Sequence, residues 1–236
     1  MNPYDVMRFR PTAVSPGNGV LLAAVPVGNT NAGNQAVTFT VPAGALIVVH
    51  TAFTSGVTDH TSMTVTDNQG GTYTQIVQTK RGTNTAVHAG WIRDSAPPAG
   101  SLTVTANVGS VATTGGAIQA WAITNRGDAE ATKFGAFAGA NYGFQVDQSS
   151  GTTPNPAFVS GAPSTNSIIL GSIHCNSNSS TMTQKAGWTE AGEVTYANPA
   201  TGVEFCHKNK GETSSSILWG ASVSSAYTSI VMEVKT

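Results

Sequence analysis

Along most of this chain, short runs rich in Val, Ile, Thr, Tyr and Trp are separated by clusters of Gly, Asn, Asp and Pro. Several runs alternate hydrophobic and polar positions with a period of two. Leu102, Val104 and Ala106 share one face and Ser101, Thr103 and Thr105 the other, as a strand with one wet side requires. The first half carries eight such segments: VLLAAVPV, QAVTFTV, ALIVVHTAF, SMTVTD, TYTQIVQT, AVHAGWIRD, SLTVTAN and GAIQAWAIT. A second set follows as SIILGSIHC, TMTQKAGWTE, GVEFCHKN, SILWGASVS and YTSIVMEVK. Helical periodicity is almost absent. Short strands at near-regular spacing predict an all-β protein, an antiparallel β-sandwich or a barrel.

The turns carry their own chemistry. Asp67-Asn68-Gln69-Gly70-Gly71 supplies side chains that cap their own backbone and glycines that accept positive φ, which predicts a hairpin between strands 62–66 and 72–79. Pro97-Pro98-Ala99-Gly100 stops one strand and launches the next. Residues 1–18 mix Pro, Gly, Arg and aromatic residues without period and predict an extended N-terminal arm. Residues 19–236 are expected to form a single β-sandwich built of two similar halves, 19–125 and 164–236. A long low-charge link joins them, with KFGAFAG and YGFQV as candidate short strands. Both halves run from an apolar strand through a Thr-rich segment and a strand ending in polar residues to a final pair, a faint internal echo. One merged body also removes the exposed edges that two small β-domains would leave.

Composition narrows the function classes. Charged residues make up only 10% of the 236, against roughly 25% in ordinary soluble domains. With 11 basic and 12 acidic residues the net charge is -1, so there is no field to hold a phosphate backbone and nucleic acid is not an expected partner. A hydrophobic share of 39% is enough for a folded core. No stretch approaches the ~20 apolar residues needed to cross a bilayer, so no membrane insertion is expected. The apolar run Val20 to Val27 is short, broken by Pro26 and preceded by Asp5 and a Pro-Gly turn, which argues against a cleaved secretion signal.

The runs PAGALIVVHTAF, VTDNQGGTYTQI, HAGWIRDSAPPAGSLTVTANV and GAIQAWAITN, followed after a link by NSIILGSIHCN, AGWTEAG and SIVMEVK, resemble a jelly-roll-type β-sandwich domain. That domain is found in phage virion structural proteins and bacterial surface proteins. The resemblance spans about residues 43 to 236, and its best marker is VTDNxGxTYT followed some thirty residues on by PAGSxTVT. It implies a β-sandwich used in virion or cell-surface architecture, as a decoration, fibre or adhesion module. It implies no enzyme active site and transfers no residue roles.

No phosphate-cradling G-x-x-x-x-G-K, nucleophile elbow G-x-S-x-G or H-E-x-x-H is present. His174-Cys175 and Cys206-His207 together hold the ligand types of a tetrahedral zinc set, but strand neighbours point to opposite faces and the usual C-x₂₋₄-C spacing is missing. Buried free cysteines are the favoured reading, with a Cys175–Cys206 disulfide as the rival. Asp67-Asn68 lacks the further oxygen ligands of a calcium loop and reads as a turn. Arg126-Gly127-Asp128 matches an adhesion tripeptide of a length that chance often produces. Trp91, Trp121 and Trp219 lie in strand-like runs and read as core. Trp188, beside a turn in Gly187-Trp188-Thr189-Glu190, is expected to be exposed and is the candidate for ligand stacking. Asp94, Asp128, Glu130, Glu190 and Glu204 are scattered without the spacing of a catalytic pair.

With no catalytic motif beside it, the resemblance implies a non-enzymatic virion protein with no cofactor or metal, a capsid decoration or tail-associated component. Its expected partners are other virion proteins and itself as a homo-oligomer, a trimer by the habit of such proteins. The alternative is a carbohydrate-binding or adhesive module on a virion or cell surface, with surface glycans as partner and Trp188 as its anchor.

Overall fold

The computed structural model describes residues 20–23, 27–29, 33–54, 63–81, 86–108, 115–124, 141–147, 151–176, 182–197, 200–223 and 225–235. The expected arm, KFGAFAG and the Arg126-Gly127-Asp128 tripeptide lie outside them. The described residues form antiparallel sheets packed face to face, with no helix among them, which is the expected all-β sandwich architecture. Among the described residues no helix is long and apolar enough to cross a membrane.

Sheet A contains β1 (Val20–Ala23), β2 (Val27–Asn29), β4 (Leu46–Thr54), β6 (Tyr73–Arg81), β7 (Ala86–Arg93) and β9 (Gly115–Thr124), ordered β1-β9-β4-β7-β6 with β2 also on β9. Sheet B is β3 (Gln35–Val41), β8 (Gly100–Asn107) and β5 (Thr64–Asp67). Sheet C contains β10 (Tyr142–Asp147), β11 (Ala157–Phe158), β12 (Ile168–Cys175), β13 (Thr189–Ala197), β14 (Ala200–Asn209) and β15 (Tyr227–Val234), ordered β11-β10-β15-β12-β14-β13.

The layers stack as B, A, C, and strand alternation fixes which residue enters which core. On β4, Ile47, Val49 and Phe53 point into a core shared with Val37, Leu102 and Val104 of sheet B. Leu46, Val48 and Ala52 point the other way, toward Ile168, Leu170, Phe205 and Met232 of sheet C. Sheet A is therefore covered on both faces, and every residue of β4 is buried. Such a strand has no wet side, so it reads as a continuous apolar run rather than an alternation. β8 keeps the alternation because its Ser101, Thr103 and Thr105 face solvent. The outer face of sheet C is covered without a further sheet, by Phe158, Met182, Trp188, Ile217, Trp219 and Val223.

Sheets A and C repeat one strand order. β9-β4-β7-β6 corresponds to β15-β12-β14-β13, last-first-third-second within each set of four.

Four local expectations are corrected. Strands 62–66 and 72–79 do not form a hairpin ladder: β5 pairs with β8 in sheet B and β6 with β7 in sheet A, and only an isolated Thr66–Thr72 bridge links them. The turn is instead a corner between layers. Asp67 holds it by accepting from the amides of Gln69 (2.8 Å) and Gly71 (2.9 Å), the Tyr73 hydroxyl (3.0 Å) and Arg93 Nε (2.7 Å). VLLAAVPV holds β1 and only the first residue of β2, and both strands pair with β9. TMTQKAGWTE enters a strand only at Thr189, and SILWGASVS contributes isolated bridges at Ser216 and Val223. Both last segments are apolar because they roof sheet C, a tertiary role that mimics strand composition.

Candidate functional site

Sheet C presents Ser172, His174 and Thr228 toward sheet A, at the alternate positions that elsewhere carry Ile168, Leu170, Ile230 and Met232. Sheet A answers with His50, Thr54 and His88. Ser172 Oγ lies 2.8 Å from His50 Nδ1 and 2.7 Å from His88 Nε2. His88 Nδ1 lies 3.2 Å from Thr228 Oγ1, which donates to the His174 carbonyl at 3.5 Å. His174 Nε2 is 3.3 Å from Thr54 Oγ1. One direction of donation serves the whole chain: His50 Nδ1–H to Ser172, Ser172 to His88 Nε2, His88 Nδ1–H to Thr228, and Thr228 to the carbonyl. In that tautomer His50 Nε2 is a bare lone pair, so no buried imidazole N–H of His50 or His88 is left unpaired.

His50, His88, Ser172 and His174 are all 0% exposed. Burial holds His50 well below the usual histidine range, with His88 adding to the effect. Burial lowers His88 to about 3, partly countered by its Thr228 contact and reinforced by Arg81. Arg81 lies in the same layer and donates to the carbonyls of Ala226 (2.6 Å) and His174 (3.3 Å). His50 stands edge-on to Trp121, ring centroids 4.9 Å apart. A serine between two imidazoles has the composition of an activated nucleophile, but closed packing keeps a substrate from its Oγ. What the arrangement does chemically is hold neutral imidazoles and their hydroxyl partners, with the Arg81 guanidinium, inside an interface whose other positions carry apolar residues such as Leu170 and Phe205.

The structure places the remaining candidates as follows. Trp188 is not exposed, contrary to expectation: at 6% exposure it packs in the outer core of sheet C, and its Nε1 donates to Glu212 Oε2 at 2.9 Å. The glycine turn beside it folds inward because Glu212 also takes Lys185 Nζ at 2.9 Å and the amides of Thr213 and Ser214. Burial alone would raise the Glu212 carboxyl, but Lys185 and the other donors bring it down to about 2. Trp91, Trp121 and Trp219 are buried, as expected.

Cys175 and Cys206 are buried free thiols. Both point to the outer face of sheet C, while His174 and His207 point toward sheet A, and no metal-holding group of His, Cys, Asp and Glu is found among the described residues. Glu204 is 1% exposed and stands directly across from Glu193. Burial, then the charges of Glu190 and Glu193, push it up to about 8 against an opposing Gln184 backbone contact.

Sequence reasoning treated His174 only as a zinc candidate and passed over His50, His88 and Ser172. The available signal was parity: His50 shares its strand face with Leu46, Val48 and Ala52, so a polar residue stands where an apolar one is required. Comparison with known protein families, characterised proteins and solved structures finds no match to this chain.

Proposed function

We propose that this chain is a structural protein of a bacteriophage particle, a capsid decoration or tail-associated component that works through protein–protein contacts. The observation that carries the assembly role is where apolar surface remains. Among the described residues the exposed large hydrophobic side chains are Phe144, Val146, Val159 and Leu218. All four belong to one edge of sheet C: two on β10, one immediately after β11, and one in the segment that bridges β11 at Ser216. Apolar side chains gathered on one edge suit a protein partner, and low charge lets wide surfaces approach without repulsion. The virion setting rests on the sequence resemblance. The glycan-binding alternative loses its named anchor, because Trp188 is core.

Light scattering on the full chain and on a chain lacking residues 1–18, with binding to empty phage shells, tests the reading. A discrete oligomer, or shell binding that needs the arm, supports it. An arm-indifferent monomer that ignores shells overturns it and favours the adhesive module.

A further inference from the structure

Four of the five histidines in the chain, His50, His88, His174 and His207, sit on the facing sides of sheets A and C. His207 shares its side with the core residues Val203 and Phe205, four and two positions before it on the same strand. By strand alternation none of the described histidines faces the A–B core or the roof of sheet C.

We propose that this histidine layer is an acid-operated release between sheets A and C, in which proton uptake by the imidazoles separates the C-terminal sheet from the central one while the A–B core stays packed.

The surroundings favour release over tolerance. Among the described side chains, the charged or titratable groups facing the layer are Arg81 from β6, His174 from β12, His207 from β14 and Tyr142 from β10. No carboxylate of the described residues faces it. Glu204 alternates with Val203 and Phe205, and Glu233 with Met232 and Val234, so both lie on the far side of sheet C. Glu190 and Glu193 stand opposite Cys206 and Glu204 and share that far side. Arg93 turns to Asp67. A proton arriving on His50 or His88 therefore meets a fixed guanidinium and other imidazoles, with no anion among the described residues to receive it.

The closed layer resists protonation, and that resistance drives opening. Once the sheets part, water restores His50 and His88 to ordinary behaviour, so each takes up about one proton below pH ~6.5 that the closed form refuses. Each such proton changes the open-to-closed ratio about tenfold per pH unit, and two together about a hundredfold. Opening thus begins well above the pH at which a closed-state imidazole would itself titrate. Glu204 stays covered by the roof of sheet C and does not enter the balance.

The test is hydrogen exchange between pH 6.5 and 5, above the ordinary carboxylate range, corrected for intrinsic rates. Sheet C amides in β12 and β15 should lose protection by at least tenfold per pH unit while β3 and β8 of sheet B keep theirs. His88→Gln should cut the pH slope of that loss by about half. Equal loss in sheets B and C, no loss in either, or a slope unchanged in a folded His88→Gln protein overturns the proposal. If His88→Gln does not fold, the contrast between sheets in the unaltered chain decides alone. Neither outcome depends on whether the protein belongs to a virion.

Discussion

Glu212 shows how one residue decides whether an aromatic side chain serves a ligand or the core. Its carboxylate gathers Trp188, Lys185 and two backbone amides within about one side-chain length, so the indole N–H is satisfied inward and the ring closes over Gly171. The folded-state value of about 2 lies below the ordinary glutamate value of 4.5. The stabilisation is therefore present above pH ~4.5 and lost as pH falls toward 2. Glu212→Gln should lower stability by about 2 kcal/mol at pH 7, read as a fall in the urea midpoint, with a red shift of tryptophan emission if Trp188 swings out.

Glu204 carries the opposite sign. Its folded value of about 8 lies above the ordinary glutamate value of 4.5, so stability is full below pH ~4.5 and declines as pH rises through 8. The decline is up to about 1.4 kcal/mol per pH unit. In thermal scans from pH 6 to 8, Glu204→Gln should flatten the profile and exceed the parent at pH 8.

At the scale of elements, the close approach of sheets A and C depends on missing side chains. Gly90 on β7 faces Met232 of β15, and a Cβ there would meet the methionine sulfur and, at 3.0 Å, Val77 Cγ1. Gly90→Ala should cost about 1–3 kcal/mol by overpacking, measured by equilibrium unfolding, and Met232→Ala in the same chain should recover part of it. β10 shows an element leaving the core: Tyr142 packs on the A–C cluster, while Phe144 and Val146, on the same strand face, reach solvent. Hairpin prediction failed at Asp67 for an element-scale reason. Turn chemistry specifies a tight reversal but not whether the outgoing strand stays in its sheet, and here β5 and β6 pair with different neighbours.

For the whole molecule, the exposed edge of sheet C is the surface on which assembly is proposed to depend. Removing one large apolar contact is worth about 2 kcal/mol, so Phe144→Ser should weaken self-association or shell binding roughly tenfold or more. Analytical ultracentrifugation over a concentration series checks this, and an unchanged association constant would count against that edge. The central position of sheet A makes the two halves share one layer of side chains. Changes at the A–C interface are therefore felt by both, whereas changes on the wet face of sheet B stay local.

The alternating and apolar runs by themselves determined that this chain is all-β, and they located β3, β4, β7, β8, β9, β12, β14 and β15 to within about two residues. Burial periodicity is a local consequence of pleating and survives whatever the sheets do next. Tertiary structure alone decided that strands are sorted into three layers, that Trp188 is core, and that TMTQKAGWTE and SILWGASVS roof a sheet instead of extending it. It also decided that His50, His88 and Ser172, up to 122 positions apart, meet in one network. Such outcomes depend on which faces are finally covered, and coverage is set by contacts between segments far apart in the chain, which no local pattern encodes.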